Sequence, residues 1–331
     1  MSLNNDIYEL MVGHQIGLQR YSTGVLKKIL AHLSDVEKDI IAQLSKTDGL
    51  SKKQLQDFLT FLRARMAEYR GAVNETAQAD MLDLAAYEAD YNAQKLSGAT
   101  GTAFNRPSAA QLAAIVKTKP IQGRLLNEWS STLAEATRLQ IQDAVRIGVT
   151  EGEGTAQIIK RIRGTRANGY KDGVLQISRN NAAAVIRTMT NDIATQAREQ
   201  VYAENEQFID GVMWSSVLDA RTTPVCQARD GEVYPLNEGP RPPAHIGCRS
   251  VTTAIIKGFP QPERTTYAKW LKKQPFKDQI EILGPTRAAL FKAGGLSLDR
   301  FVDNAGRSYT LDELRKRDLA AFEKAGLTKK P

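Results

Sequence analysis

Cysteine and histidine are scarce in this chain, which has two cysteines and three histidines among 331 residues. So few cysteines cannot form a disulfide framework, and this composition is typical of proteins that assemble in a reducing cytoplasm. The sequence also lacks any run of eighteen apolar residues, and its first residues lack the basic and apolar segments of a signal peptide. We therefore expect no export and no membrane partner.

The chain does not have the low hydrophobic content of a disordered protein, since 42% of its residues are hydrophobic and 25% are charged. A chain of this length has room for two domains, each with its own core. The net charge is +8, and from Gln261 onward 15 lysine and arginine residues stand against 9 acidic ones. This basic segment forms either a solvated surface or a contact with an anionic partner such as double-stranded DNA.

Apolar residues spaced by threes and fours predict one long amphipathic helix over residues 7–44. Ser51 and Gln54 form a capping-box pattern that predicts the start of a second helix, antiparallel to the first. The helical pattern continues to Tyr91, and the small residues 97–102 predict a flexible loop that ends it.

Helical patterns dominate up to about residue 206, and the rest of the chain is mixed. Further helices are predicted to open at the Ser108/Gln111 capping box and to run from Leu125 to Ile147. Thr155 is predicted to cap a short basic helix that ends near Gly164, and another helix runs from Ser178 to about Glu206. After Pro260, helices are predicted from Tyr267 and from the Thr310/Glu313 capping box. The residues 164–173 between two of them predict an exposed loop. Predicted short strands are Val212–Leu218, Val251–Ile256 and Glu232–Tyr234.

This pattern predicts a mainly α protein with a small α+β C-terminal domain. A long N-terminal helical arm would be joined to a compact knob that contains the cysteines and His245. The predicted domains are a helical arm or hairpin at 1–97, a linker at 98–124, the α+β knob at 125–260, and a basic helical extension at 261–331.

Both cysteines lie in one window with the third histidine, which suggests a metal site. His245 precedes Cys248 by three residues, a spacing at which an imidazole and a thiolate can bind one ion from a tight turn, and Cys226 is the natural third ligand. A carboxylate from Asp219 or Asp230 could complete a tetrahedron. We predict Cys226, His245, Cys248 and Asp219 as ligands of one structural zinc ion. The alternative without a metal is a buried pair of free thiols.

Two chemical alternatives use the same residues. Cys226 or Cys248 could act as a nucleophile with His245 as its base, or the group could be the centre of a metal-dependent hydrolase or nuclease with an open position for water. No further cluster of histidines or carboxylates is spaced to complete an active centre. We therefore expect a structural role and no catalytic residues, and we interpret His14 as a packed side chain in the first helix.

The arrangement of the whole window resembles the phage Mu F-like minor head protein family. The matching elements are residues 219–226 (Asp-Ala-Arg-Thr-Thr-Pro-Val-Cys), Asp230-Gly231 and residues 243–249 (Pro-Ala-His-Ile-Gly-Cys-Arg), preceded by a helix that carries Arg187-Thr188. The resemblance covers residues 125–256. Met189 stands where the family often has a glutamate.

The resemblance implies a minor capsid protein of a tailed phage that acts in head assembly, DNA packaging or DNA ejection. Its implied partners are the portal protein and other capsid components, with several copies per virion. Packaged double-stranded DNA could be contacted through the basic C-terminal segment. The implied location is the capsid near the portal vertex, after assembly in the host cytoplasm, and enzymatic activity is not implied.

Overall fold

The structure of the chain, a computed structural model, describes residues 3–327. Most of these residues are helical, and a small sheet lies in the C-terminal part, which confirms the predicted mainly α class with a small α+β region. The helices are α1 (Leu3–Leu44), α2 (Lys52–Thr100), α3 (Ala109–Thr118), α4 (Leu126–Thr150), α5 (Thr155–Arg163), α6 (Val174–Ala203), α7 (Pro224–Arg229), α8 (Tyr267–Lys272), α9 (Phe276–Leu283), α10 (Pro285–Lys292), α11 (Leu311–Arg317) and α12 (Leu319–Lys324). The strands are β1 (Ile209–Ser215), β2 (Val233–Tyr234) and β3 (Val251–Ile256). Within residues 3–327, no helix has the length and apolar character needed to cross a membrane.

The three capping boxes predicted from the sequence are present. The Ser51 hydroxyl accepts the Gln54 amide at 3.3 Å, while the Gln54 side chain accepts the Ser51 amide at 2.9 Å. The Ser108 box opens α3, and the Thr310 box opens α11. Each box satisfies two amide groups that a helix N-terminus leaves without an intrahelical partner, so these starts are fixed by local chemistry.

Two predicted boundaries were wrong. The loop expected at residues 97–102 is largely helical, because α2 continues to Thr100 and the hydroxyls of Ser97 and Thr100 donate to carbonyls four residues back. Thr155 does not cap α5; the cap residue is Gly154, and the Thr155 hydroxyl donates to the Thr47 carbonyl at 2.6 Å. From the sequence, these small polar residues were interpreted as ending or starting a helix. In the structure their hydroxyls instead bond back to the helix or across to a neighbouring segment.

The described chain divides into two compact units, which do not follow the chain in one piece. The sheet unit comprises the described parts of Met1–Ile16, Ala89–Arg106 and Arg198–Pro331. The helical unit comprises Gly17–Glu88 and Pro107–Ala197. The domain boundaries given above stay a prediction.

The helical unit contains the pairing of α1 with α2. The Tyr21 hydroxyl donates to the Asp80 carbonyl at 2.6 Å, His32 lies 2.9 Å from the Thr76 hydroxyl, and Arg65 donates to Asp39 at 2.6 Å. As positions in α1 increase, their partners in α2 decrease, so the helices are antiparallel as predicted. The apolar stripe of α1 in this unit is buried at Val25, Ile29, Leu33, Val36, Ile40 and Leu44.

The sheet unit contains an antiparallel sheet of strand order β2-β1-β3 and a separate apolar core in the C-terminal helices. The predicted strand Val212–Leu218 was placed three residues late, since β1 spans Ile209–Ser215. Residues 267–322 share one cluster of buried side chains that includes Tyr267, Phe291 and Phe322. The C-terminal segment is therefore a packed structure with its own core.

Candidate metal centre

Strand register positions the two ends of the cysteine-containing segment. Ser215 at the end of β1 pairs with Val251 at the start of β3, so residues 216–250 leave the sheet and return to it at one place. The hydroxyls of Ser216 and Ser250 lie 3.1 Å apart just beyond this pair. The sheet therefore closes the base of the segment that carries all the predicted ligands.

Two local structures supply the ligands. Cys226 lies on α7, a short helix that begins with Pro224, and it is buried. His245 and Cys248 share a turn in which the Cys248 amide donates to the His245 carbonyl at 3.1 Å. Gly247 has a φ of +75° in that turn, a conformation that a residue with a side chain rarely adopts.

The ligand atoms of Cys226, His245 and Cys248 all lie within 4.8 Å of one another. The two Sγ atoms are 3.7 Å apart, and Cys226 Sγ is 3.4 Å from His245 Nε2. Bond lengths to zinc of 2.3 Å for sulfur and 2.0–2.1 Å for nitrogen imply, in a tetrahedron, separations of about 3.8 Å and about 3.5 Å. Two of the three separations thus match those of a tetrahedral zinc site, and the third is no more than 4.8 Å.

The backbone sets the tautomer of His245. Its Nδ1 atom lies 3.0 Å from the Ile246 carbonyl oxygen, which can only accept, so Nδ1 carries the proton. Nε2 then presents its lone pair toward Cys226, with the Thr223 hydroxyl 2.8 Å away. A ring nitrogen bonded to a carbonyl while the other faces the ion is the usual arrangement of a metal-binding histidine.

Proton affinities within the group differ according to hydrogen bonding. The hydrogen bond between the two sulfur atoms lowers the pKa of Cys248, with smaller help from His245. The pKa of Cys226 is raised, first by that same bond and then by burial. The pKa of His245 is raised by its hydrogen bond with Cys248. One thiolate is thus favoured before any cation binds, and a thiolate is the form that binds a metal.

Asp219, the predicted fourth ligand, is not brought into the group. Its two carboxylate oxygens accept from the two terminal nitrogens of Arg249 at 2.7 Å each, and they also accept from the Arg221 amide and the Thr222 hydroxyl. The hydrogen bonds from Arg249 hold the pKa of Asp219 below its usual range. In this arrangement Asp219 braces the residue that follows Cys248.

Asp230 was the other candidate carboxylate, and it has a different role. It follows α7 and forms an ion pair with Arg264, in which one terminal nitrogen of the arginine donates to both carboxylate oxygens and the side chains are 0% and 4% exposed. Its oxygens also accept the amides of Ser216 and Tyr267 at 2.7 and 2.6 Å. Asp230 is therefore a buried anchor between residues 216–250 and the C-terminal helices.

Sequence reasoning missed Arg264 and Ser216. Arg264 stands in a segment of ordinary basic composition, and no spacing links it to Asp230. Ser216 connects the sheet to the group, since its hydroxyl donates to the Cys226 carbonyl at 2.8 Å and accepts from the Trp214 indole at 2.9 Å. Ser216 fell inside the predicted strand Val212–Leu218, so no sequence signal marked its place at the end of β1.

A small cavity opens beside the group. It has a volume of about 20 Å³ and is lined by side chains that include Thr223, Cys226, His245 and Arg249. One water molecule needs about 10–15 Å³ by this measure. Three protein ligands therefore leave space for one water-sized ligand, and the structure groups no fourth cysteine, histidine or carboxylate with them among residues 3–327.

The other two histidines have packing partners. The His14 ring stacks on Tyr91 with ring centroids 3.8 Å apart, and His32 contacts Thr76. Neither belongs to a cluster of potential metal ligands in the described part of the chain. Met189 is buried and apolar.

Comparison with known proteins returns one match. Residues 139–253 match the family model described as Phage Mu protein F like protein. Searches among curated proteins and among solved structures found no match. The matched region contains α5, α6, the sheet up to Thr253 and all three grouped ligands, and it lies within the residues 125–256 that carried the resemblance. Residues 139–253 therefore form a phage Mu protein F-like domain.

Proposed function

We propose that this protein is a minor capsid protein of a tailed phage that associates with the portal and acts in head assembly, DNA packaging or DNA ejection. The observation that carries the proposal is the family match over residues 139–253, which indicates a phage head morphogenesis protein. Virion location near the portal vertex, capsid partners and several copies per particle follow from that role. The paired helices α1 and α2 offer a long surface for a partner.

The Cys/His group acts in this proposal as a structural zinc site. Cys226 and Cys248 are buried, and two thiolates with one imidazole are typical of zinc ligation. The ion would join α7 to the turn at residues 245–248, and the ion pairs of Asp219 and Asp230 support both ends of this segment. The group thus braces a connector and carries out no reaction.

The alternative from another class is a metal-dependent hydrolase or nuclease centred on Cys226, His245 and Cys248. The water-sized cavity favours it, because catalytic zinc sites keep one position for water. The nearest carboxylates argue against it. Asp219 and Asp230 are each held by an arginine, so neither is available as a general base.

Association with the portal is tested by affinity purification from infected cells followed by mass spectrometry. The tagged full-length chain is expected to recover the ring-forming portal subunit together with other head proteins. A tagged cytoplasmic protein of similar charge serves as the control for nonspecific capture. Recovery of the chain without any capsid component would contradict the proposal.

The metal site is tested separately by elemental analysis of the purified chain. About one equivalent of zinc per chain is expected. Protein that is free of metal and keeps full stability after dialysis against a chelator would eliminate the structural zinc site. A zinc-dependent nuclease or hydrolase activity, lost on chelation, would instead support the alternative.

A further inference from the structure

The loop that follows α5 is closed on itself. Gly164 and Gly173, its first and last residues, are in backbone contact, since a Cβ atom on Gly173 would lie 2.2 Å from the Gly164 nitrogen. Gly164 has a φ of +93°. Ten residues whose ends touch form a compact Ω-type loop, a kind that is frequently functional.

Asp172 fixes the interior of this loop. One of its oxygens accepts the Thr165 amide at 2.7 Å, and the other accepts the Thr165 hydroxyl at 2.7 Å and the Asn168 side chain at 2.8 Å. These hydrogen bonds, first that from Asn168 and then those from Thr165, hold the pKa of Asp172 well below its usual range. The loop is exposed but held in one conformation.

Tyr170 is in an unusual conformation in the loop. Its φ is +61°, which is an outlier for a bulky residue and costs about 1–2 kcal/mol. The guanidinium of Arg163, the last residue of α5, lies over its ring at 4.6 Å from the centroid. Such outliers persist where the surrounding structure holds them and are concentrated at functional sites.

Three cations on this surface make no ion pair or side-chain hydrogen bond within the chain. Lys160, Arg166 and Lys171 are exposed, and each is free of such a partner among residues 3–327. Their neighbours differ, because Arg161 pairs with Glu151 and Glu153. The charges of these three side chains are therefore available to another molecule.

The basic C-terminal segment, which the sequence suggested as the DNA contact, uses much of its charge internally. Arg300 pairs with Asp318, and Arg307 pairs with Asp303 and Glu313. Lysines and arginines there also lie over aromatic rings, such as Lys292 over Phe276 at 4.2 Å. The net charge of the C-terminal segment is larger than that of the loop, but several of its cationic side chains already have partners within the chain.

We infer that Lys160, Arg166 and Lys171, presented by the closed loop Gly164–Gly173 and the end of α5, contact backbone phosphates of double-stranded DNA. The inference deepens the proposed function, because packaged DNA is the polyanion that a portal-associated head protein meets. A groove-reading helix is not involved. The contact is electrostatic and independent of sequence.

DNA fits this surface better than an acidic protein segment does. Protein interfaces contain an apolar core and few lysines, whereas this loop has one aromatic ring and, as its one exposed aliphatic side chain between residues 164 and 173, the methyl group of Ala167. Phosphate contacts need exposed cations at fixed positions, which Asp172 provides by holding the loop.

The test uses the full-length chain, a 30-base-pair DNA duplex and a range of salt concentrations. Each phosphate contact contributes about 0.9 to the slope of log affinity against log salt, so Arg166→Ala with Lys171→Ala should reduce that slope by about 2. The matched control is Lys52→Ala with Lys53→Ala, two exposed cations at the start of α2 that also lack ion pairs. The control should leave the slope unchanged.

A second variant distinguishes the effect of the loop conformation on DNA binding from the effect of its net charge. Asp172→Ala removes a negative charge, so bulk electrostatics alone would tighten DNA binding. Loss of the fixed loop conformation should instead weaken binding by roughly threefold or more. Tighter binding by Asp172→Ala would overturn the role of the fixed loop.

Two further results would overturn the inference as a whole. One is an equal loss of slope in the loop pair and the control pair, and the other is equal binding of poly-glutamate and DNA, which would indicate an acidic protein partner. Failure of these tests leaves portal capture from infected cells unaffected. Failure of portal capture with intact loop-dependent DNA binding would reject the proposed function alone.

Discussion

The segment around the Cys/His group and the loop after α5 differ in whether their charged side chains form ion pairs within the chain. Near the group, Asp219 and Asp230 are each neutralised by an arginine that donates to both carboxylate oxygens. In the loop, the one carboxylate, Asp172, is used to hold the backbone, and the cations Arg166 and Lys171 have no ion pair within the described chain. One segment satisfies its own charges, and the other offers them to a partner.

This difference indicates what each segment is for. Internally balanced ion pairs with buried members make a segment rigid and costly to disturb, because loss of one partner leaves a charge without compensation. Unpaired surface cations contribute little to stability and can be removed at small cost. Mutations should therefore affect folding in the first segment and binding in the second.

The largest expected effect comes from the metal ligands. Cys248→Ser and His245→Ala should each reduce the zinc content from about one equivalent to almost none and lower the melting temperature. Each substitution removes one of the three ligands that the described chain groups together, and the two that are left are too few to hold the ion. His32→Ala is the matched control, since His32 lies on α1 outside the group. Elemental analysis and thermal unfolding measure both quantities. Unchanged zinc in the two ligand variants would contradict the site.

Asp230→Ala should destabilise the fold by about 3–5 kcal/mol, because it leaves the buried Arg264 without its counterion. The control is Asp219→Ala, which breaks an ion pair in which an arginine also donates to both carboxylate oxygens, but with side chains 36% and 21% exposed. That change should cost about 1 kcal/mol or less. Urea unfolding measures both free energies. Equal costs would refute the distinction between the buried and the partly exposed pair.

Asp192→Asn should stabilise the fold at neutral pH, whereas the substitutions above should destabilise it. Asp192 is buried on α6, and burial raises its pKa to about 6 against smaller opposing contributions from Gln196 and Lys119. The folded pKa lies above the unfolded one, so stability is kept below about pH 4 and is lost as the pH rises through 6.

At pH 7.5 the asparagine variant should therefore be more stable by about 1–3 kcal/mol, and the gain should vanish at pH 4. Urea unfolding at the two pH values tests this. A variant that is less stable at pH 7.5 would mean that the ionised carboxylate has a stabilising partner.

The smallest expected effect on stability belongs to the loop. Arg166→Ala with Lys171→Ala should change the free energy of unfolding by no more than about 0.5 kcal/mol, since both side chains are exposed and make no ion pair. Urea unfolding of the pair beside the wild type gives the answer. A loss as large as that of Asp230→Ala would show that the loop cations serve the fold.

Much of the fold could be predicted because its signals are local. The Ser51, Ser108 and Thr310 capping boxes each depend on residues three apart, and the apolar stripe of the first helix has a fixed period. The extent of α2 could not, because hydroxyls at Ser97 and Thr100 are compatible with either a loop or a helix that they bond back to.

The candidate site divides in the same way. Cys226, His245 and Cys248 could be grouped because scarce residue types fell in one window, and the structure brings their ligand atoms together. The partners of the carboxylates could not be predicted, because Asp219 lies 30 residues from Arg249 and Asp230 lies 34 from Arg264. Charged residues are common, so sequence spacing does not select one pairing among many.

The pairing of Ser215 with Val251 has a consequence for the metal-free protein. Because the sheet already joins the two ends of residues 216–250, the proposed ion at Cys226 and Cys248 would restrain only the inner part of this segment. Chelation would then release a local opening unit and leave the β1–β3 ladder intact, so amide protons of the ladder would stay protected while those near Gly247 exchange. The ion would stabilise this segment locally, and it could be bound or lost without unfolding the β1–β3 ladder.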